Sequence, residues 1–339
     1  MTITATRAAA PVTAAAGVGV VMVVRGEPRE RVARALAAVA AQQGTDGITV
    51  YIAAPREDHA TLATLRPGGA VRAVRLVDNP DGARSCGLNR AAAVAGEPVL
   101  VRVDARSEIP PGYVAACARR LDDPEIGMVG GVQWPVAPAD AGPAAAGIAR
   151  ALRNRWLLGN AAYRRPDAHG PVDTVYLGAY RRDELLDLGG YDERLAANED
   201  YDLAQRYLDA GRTVWLEEGQ PVRYEPRADW AGLARQYHAF GEAKVRYWRR
   251  TGRGPNARQL LALGGLAGAG VATAALARRP RRLLVLAGAA VAGVAVVDHL
   301  ADPTERAPLV RARACAASTV IVGAWFTGVV TGALRHRRG

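Results

Sequence analysis

Three groups of polar residues have the types and spacing to do chemistry. Asp104 directly follows the apolar run Pro98–Val103. A lone carboxylate at the end of a buried strand has to be solvated, paired or bound to a metal. Asn198-Glu199-Asp200-Tyr201-Asp202 sets three carboxylates at the start of a helical stretch. It reads either as acids favoured by a helix dipole under an N-cap or as a general base at the lip of a cleft. Arg235 and Lys244 stand nine residues apart on one helical stretch. At about two and a half turns they are expected to point to one side. There they suit a diphosphate or form a solvated face.

Other chemistries lack their signatures. There is no Gly-x-Ser-x-Gly, no H-E-x-x-H and no P-loop lysine motif, which disfavours hydrolase triads, zinc peptidases and P-loop phosphotransfer. The five histidines are not at metal-ligand spacing. Cys86, Cys117 and Cys315 are odd in number and far apart, so they read as small buried thiols in a reducing compartment.

The elements that must position these residues alternate between strand and helix. Gly17–Val24, Ile48–Ala53, Val71–Val77 and Pro98–Val103 are apolar, β-branched runs. Helical stretches lie between them: Pro28 opens one over 31–43, and others fall near Glu57–Leu65 and Gly82–Ala95. That order predicts βαβ units and a mostly parallel sheet. Ligands of such sheets sit at the carboxyl ends of the strands. Arg25-Gly-Glu27, Ala54-Pro-Arg56 and Asp104-Ala-Arg106 all lie there. Farther on, helices are expected from Pro110-Pro111 and over Leu152–Tyr163, Asp183–Leu188, Glu199–Asp209 and Trp230–Arg250. Strands are expected at Ile126–Trp134, Val172–Tyr180, Thr213–Leu216 and Val222–Tyr224.

The chain has 339 residues, half of them hydrophobic and 23% charged, so it can bury a core and is not globally disordered. Residues 1–16, rich in Ala and Thr without a continuous apolar run, are expected to be a disordered lead rather than a signal peptide. Of the net charge of +11, +9 falls within 251–339, among three apolar segments at 260–277, 283–297 and 314–334. A hydrocarbon core of about 30 Å takes roughly 20 residues. The third segment is long enough, the first marginal and the second short. Arg278-Arg-Pro-Arg-Arg282 and Arg335–Arg338 bracket them as interface anchors do, which favours a membrane over nucleic acid as the partner. Because every flank is basic, charge alone does not set a topology.

Taken in order, several motifs resemble a family 2 glycosyltransferase of the GT-A fold, in the membrane-attached subgroup typified by succinoglycan biosynthesis. They are Val20-Val-Met-Val-Val-Arg25-Gly-Glu27, Leu88-Asn89, Arg102-Val-Asp104, the segment from Asp173 to Arg182 with Gly190-Tyr-Asp-Glu193, Asn198-Glu-Asp200-Tyr-Asp-Leu203, and Arg235-Gln-Tyr237 with Gly241 and Lys244. The only lysine of 44 basic residues and one of two phenylalanines fall in the last motif.

The resemblance covers about 17–250 as a GT-A domain, with 251–339 as membrane-associated helices. It implies an inverting transfer from a nucleoside-diphosphate sugar to a hydroxyl of a glycan or lipid-linked acceptor, on the cytoplasmic face of the cell membrane. Asp200 would be the base and Glu199 would orient it or the acceptor. Arg25, Glu27, Asn89, Asp104, Arg106, Arg235 and Lys244 would face the donor, with Asp104 holding Mn²⁺ or Mg²⁺. Two departures stand out. The family's nucleobase-reading aspartate after the second strand is replaced by Ala53-Ala54-Pro55, leaving Glu57 or Asp58 as substitutes. The second acid of its Asp-x-Asp is Arg106, and a guanidinium cannot ligate a cation. These departures also keep open a degenerate GT-A domain that scaffolds polysaccharide assembly. A soluble nucleotidyltransferase would need a Gly-rich phosphate loop, and Val20–Glu27 has only Gly26.

Overall fold

The computed structural model describes residues 17–45, 47–138, 141–156, 161–303 and 306–335. The expected disordered lead, 1–16, lies outside them. The first strands follow the apolar runs: β1 Val18–Val23, β2 Ile48–Ala54, β3 Val71–Asp78 and β4 Val99–Arg102. Between them run α1 Arg29–Ala40, α2 Arg56–Leu62 and α3 Arg84–Val94. The rest of the sheet is β5 Ser107–Glu108, β6 Ile126–Pro135, β7 Gly170–Pro171, β8 Tyr176–Arg181 and β9 Thr213–Tyr224, with helices α4 Tyr113–Arg120, α5 Pro143–Arg153, α6 Arg182–Asp187 and α7 Glu199–Asp209. Four long helices end the chain: α8 Trp230–Thr251, α9 Ala257–Leu276, α10 Pro280–Ala301 and α11 Pro308–Arg335.

The sheet order is β3-β2-β1-β4-β8-β6-β9-β5, with β7 beside β9. β3, β2, β1 and β4 pair in parallel, whereas β8 joins β4 antiparallel. Successive side chains of a strand point to opposite faces, so each face has its own core. Val20 and Met22 pack with Val32 and Leu36 of α1 and Tyr113 of α4. Val21 packs on the other face with Leu88 of α3, Leu203 and Tyr207 of α7, and Tyr180. Each such aliphatic side chain stabilises the fold by about 1.5–3 kcal/mol through burial. Helix α3 approaches closely because Gly87 carries no Cβ; one there would strike Val23 and Asn79 at 2.8 and 2.7 Å.

Three expected boundaries are corrected. The helix expected over 152–163 runs instead over Pro143–Arg153, with Pro143 in its first turn and Ala145, Ile148 and Leu152 buried; 157–160 lie outside the described residues, and Ala162–Arg164 form a 3₁₀ turn. The strand expected from Val172 starts at Tyr176, next to Leu177 at φ 51°, where the pairing with β6 shifts register. Thr213–Leu216 and Val222–Tyr224 are the two ends of one strand, which continues through Gly219 at φ 67°.

The chain divides into two units. One runs up to Trp134 and takes in Ala162–Tyr224; the other is Pro135–Ala161 with Glu225 onward. The second unit thus contains α5, α8 and the three apolar helices, each long and apolar enough to cross a membrane. α10 reaches this length because it continues from Pro280 through Arg281 and Arg282 to Asp298, charged residues that an apolar window leaves out.

Candidate active site

In the first unit, residues far apart in sequence converge at the end of β4. Arg102 is 4% exposed, although arginine is seldom buried unless paired. Its Nε and Nη2 donate to the two oxygens of Asp104 at 2.8 and 3.2 Å. Its Nη1 lies 3.3 Å from Glu199 Oε1. Arg84, the first residue of α3, reaches the same oxygen at 3.4 Å. Burial works against the Arg102 charge, but Asp104 and Glu199 outweigh it and keep the guanidinium protonated. Tyr191 supports the cluster from behind. Its ring centroid lies 6.0 Å from the guanidinium, and its hydroxyl meets that of Tyr180 at 3.1 Å.

The segment before α7 is held so that Glu199 turns inward. Asn89 of α3 accepts from the Tyr191 N–H at 2.7 Å and donates to the Tyr191 carbonyl at 2.9 Å. It also donates to Glu193 at 3.0 Å. Gly190, at φ 67°, lets this clasp close, since a Cβ there would meet Asn89 Oδ1 at 2.5 Å. Ser85 donates to the Leu195 carbonyl at 3.2 Å. The chain then enters α7 through Asn198 at φ 63°, a left-handed conformation that asparagine tolerates. Asn198 makes no side-chain cap, so the capping reading of this motif is corrected; its Nδ2 is buried without a hydrogen-bond partner.

The carboxylates of this cluster differ in state. Burial pushes Asp104 up, but Arg102 and Arg84 hold it below the usual aspartate range. For Asp200 the balance is reversed. Burial and the neighbouring Glu199 push its carboxyl up, against the pull of Arg102, the Tyr201 N–H and Arg84. Two acids with oppositely shifted protonation are what a site needs to keep one fixed negative charge and one proton acceptor. Asp202 is buried and pairs with Arg206 at 3.0 Å, so it braces α7.

A solved structure shares this architecture. A mannosyltransferase, PcManGT from Pyrobaculum calidifontis, in complex with GDP-Man and Mn²⁺, aligns with a TM-score of 0.59 over 94% of this chain and 87% of its own, at 16% identity. The fold is GT-A. No family model matches the chain. Over 194 residues it is 30% identical to succinoglycan biosynthesis protein ExoA of Rhizobium meliloti (strain 1021), covering 56% of this chain and 57% of that protein. The chain thus matches little more than half the length of this relative. In sequence it is similar to family 2 glycosyltransferases of the ExoA type.

The remaining residues expected to face a donor in a GT-A site are distributed unevenly. Glu27 and Arg106 come together, but to each other: Arg106 Nε donates to Glu27 at 3.0 Å, and Arg31 takes the other Glu27 oxygen at 2.7 Å. Arg25 is exposed, and its stem crosses Gly82, which has room for it because it lacks a Cβ. Asn89 is corrected from donor contact to clasp, because both its polar atoms hold Tyr191. Arg235 and Lys244 are also corrected. Nine residues at about 100° each leave them on opposite sides of α8. Accordingly, Arg235 is exposed while Lys244 is 8% exposed with its ammonium 4.9 Å from the Tyr247 ring. Both belong to the second unit.

The end of β3 has an acid that the sequence reading passed over. Asp78 ends β3 in register with Ala54, where the family's aspartate is missing. Arg56 donates to its Oδ2 at 2.9 Å, and its Oδ1 is buried without a partner. Of the expected substitutes, Glu57 is exposed, while Asp58 accepts from the Gly26 N–H at 3.4 Å.

Among the described residues, no three His, Cys, Asp or Glu side chains gather as a metal cage. Magnesium sites on phosphate substrates use one or two carboxylates, with the substrate supplying much of the rest. Asp104, about a quarter exposed, is the acid placed to meet such an ion, through the lone pairs its oxygens do not give to Arg102. Arg84 is the other residue missed. A cation opening a helix that has no acid in its first turn runs against the helix dipole, a sign that it pairs elsewhere.

Proposed function

We propose that this protein is an inverting glycosyltransferase that moves a sugar from a nucleoside-diphosphate donor to a hydroxyl of a glycan or lipid-linked acceptor. The observation that carries this reading is the joining of Asp104 and Glu199 through Arg102, next to an Asp200 whose proton affinity is raised. The similarity to ExoA and to a mannosyltransferase solved with GDP-Man supports the donor class.

Asp200 takes the acceptor hydroxyl proton as the oxygen attacks the anomeric carbon and the nucleoside diphosphate departs. Its raised proton affinity suits that step, since a base works best when its pKa approaches the working pH. The unpartnered Asn198 amide is a ready donor to the acceptor. Glu199 fixes Arg102 and Arg84, so it positions the cluster rather than reacting. Arg102 and Arg84 set a fixed positive field at the strand end, where charge builds on the leaving group, and such preorganised charge needs no rearrangement during reaction. Asp104 would hold a Mn²⁺ or Mg²⁺, which when bound offsets diphosphate charge. Arg25 is the exposed cation at the end of β1 and is assigned to the donor phosphates. Asp78 is assigned to an N–H of the base.

The test is sugar transfer from labelled nucleotide sugars to a lipid extract and to oligosaccharides, using wild type and Asp200→Asn. Transfer by wild type and loss of at least about 100-fold in the variant is expected for a removed general base. Equal transfer by both removes Asp200 from the role. If the folded wild type binds no nucleotide, the scaffold reading takes over.

A further inference from the structure

The three apolar helices differ in what they touch. α11 lies alongside α8 in parallel over nearly its whole length. Arg313 meets the Trp230 ring at one end, and Arg335 donates to Glu242 at 2.7 Å near the other. Between these ends the backbones touch through glycine. A Cβ on Gly241 would strike the Trp325 carbonyl and the backbone at 328–329, and one on Gly328 would strike the His238 carbonyl. Gly147 of α5 meets the α11 backbone at Arg313–Ala314 in the same way. Close approach of this kind comes from packed helices, and it ties the position of α11 to that of α8.

α8 cannot enter hydrocarbon. It carries Arg235, Glu242, Lys244, Arg246, Arg249 and Arg250, and each basic or acidic residue at a bilayer centre costs about 2.5–3.5 kcal/mol by insertion scales. α11 is apolar enough to span, but it could do so only by taking these charges with it.

α9 and α10 have no such partner. None of the apolar window of α9 is buried and 6% of that of α10 is, against 33% for α11. α9 has 20 residues, about 30 Å at 1.5 Å each, and α10 has 22. The foot of α10 is pinned by charge. Arg150 of α5, 4% exposed, donates to Asp298 at 2.9 Å and to Asp302 at 2.9 Å, and Arg311 lies 3.5 Å from Asp298. That cluster marks where hydrocarbon must stop, leaving about 22 Å of apolar helix from Leu283 to Val297, which Arg281 and Arg282 extend into the interface.

We infer that α9 and α10 cross the bilayer as a pair and that α11 does not cross, so both ends of the pair and the far end of α11 share one side. The arginine turn at 278–282 lies on the other. Seven arginines flank the pair's open end, four within 246–256 and three within 303–313, against four in the turn. By the positive-inside rule the open end is cytoplasmic. The chain passes from β9 into α8 without a crossing, so the first unit is cytoplasmic as well. This supports the use of cytoplasmic nucleotide sugars, but it stands whether or not transfer occurs.

The test uses full-length protein with Cys86, Cys117 and Cys315 replaced by Ala, and single cysteines labelled with a membrane-impermeant maleimide. Arg279→Cys should be labelled in intact cells. Arg335→Cys should be labelled only after lysis. Thr319→Cys, on the exposed face of α11, should be labelled after lysis because it meets water, whereas Gly268→Cys, midway along α9, should stay unlabelled until denatured. Labelling of Arg335→Cys in intact cells would mean three crossings and overturn the inference. Protection of Arg279→Cys until lysis would mean no crossing or a pair in the opposite orientation, and either overturns the inference. Thr319→Cys that resists labelling after lysis but reacts on denaturation would put α11 in lipid. Paired reporters fused after Gly339 and inserted at the turn check sidedness without cysteine chemistry.

Discussion

Arg102→Met removes the guanidinium that joins Asp104 to Glu199 and keeps a side chain of similar length. Breaking a buried ion pair from one side costs about 3–5 kcal/mol, because the remaining charge loses its compensation. Here Asp104 is 26% exposed and partly hydrated, and Glu199 retains Arg84 at 3.4 Å. Both features put the expected cost at the low end, about 3 kcal/mol, or roughly 100-fold in a local opening equilibrium. Hydrogen exchange of the amides in β4 and α7 measures that opening directly and remains interpretable in a protein with two units. The rates there should rise about 100-fold. Adding Asp104→Asn and Glu199→Gln to Arg102→Met should recover most of the loss, since unpaired charge rather than lost contact is the cause. A rise below about fivefold, or no recovery in the triple variant, would refute the account of this cluster.

Three further outcomes follow from the same site. Glu199→Gln removes one of the causes that raise the Asp200 carboxyl, so the acid limb of the kcat/KM profile should move to lower pH; a limb that stays in place, or moves up, excludes Asp200 as the titrating base. Because that carboxyl is raised in the folded state, its contribution to stability is full below its unfolded pKa and lost as pH rises through the folded one. Asp200→Asn should therefore stabilise the protein at neutral pH while abolishing transfer, and a drop in its melting temperature would contradict this. Asp104→Asn should remove any response of nucleotide affinity to Mn²⁺ or Mg²⁺, measured by calorimetry with and without chelator; a response that persists assigns the ion to another ligand.

Much of the parallel half of the sheet was legible because β1, β2 and β4 are buried on both faces and read as unbroken apolar runs. The places of Asp104 after a strand and of Glu199-Asp200 at the start of a helix were legible too. Their joining through Arg102 was not. The contact spans about a hundred residues, and in sequence Arg102 looks like an ordinary polar end to β4. Asn89 was singled out by its motif but misassigned, because a motif records that a residue matters and not which neighbour it holds. For Arg235 and Lys244 the error was one of phase: two and a half turns place residues on opposite faces. Hydropathy could not separate α11 from α9 and α10, because a helix packed against a charged partner and a helix facing lipid are apolar to similar degrees. The packing of α11 on α8, its glycine contacts among it, distinguishes them.

The central claim, that the site at the end of β4 takes a nucleoside diphosphate, is tested most directly by titrating UDP, GDP, dTDP and CDP into the folded, detergent-purified full-length protein. The account predicts selective binding of one of them, weakened by Arg25→Ala and altered in base preference by Asp78→Ala. No binding of any of the four would contradict it.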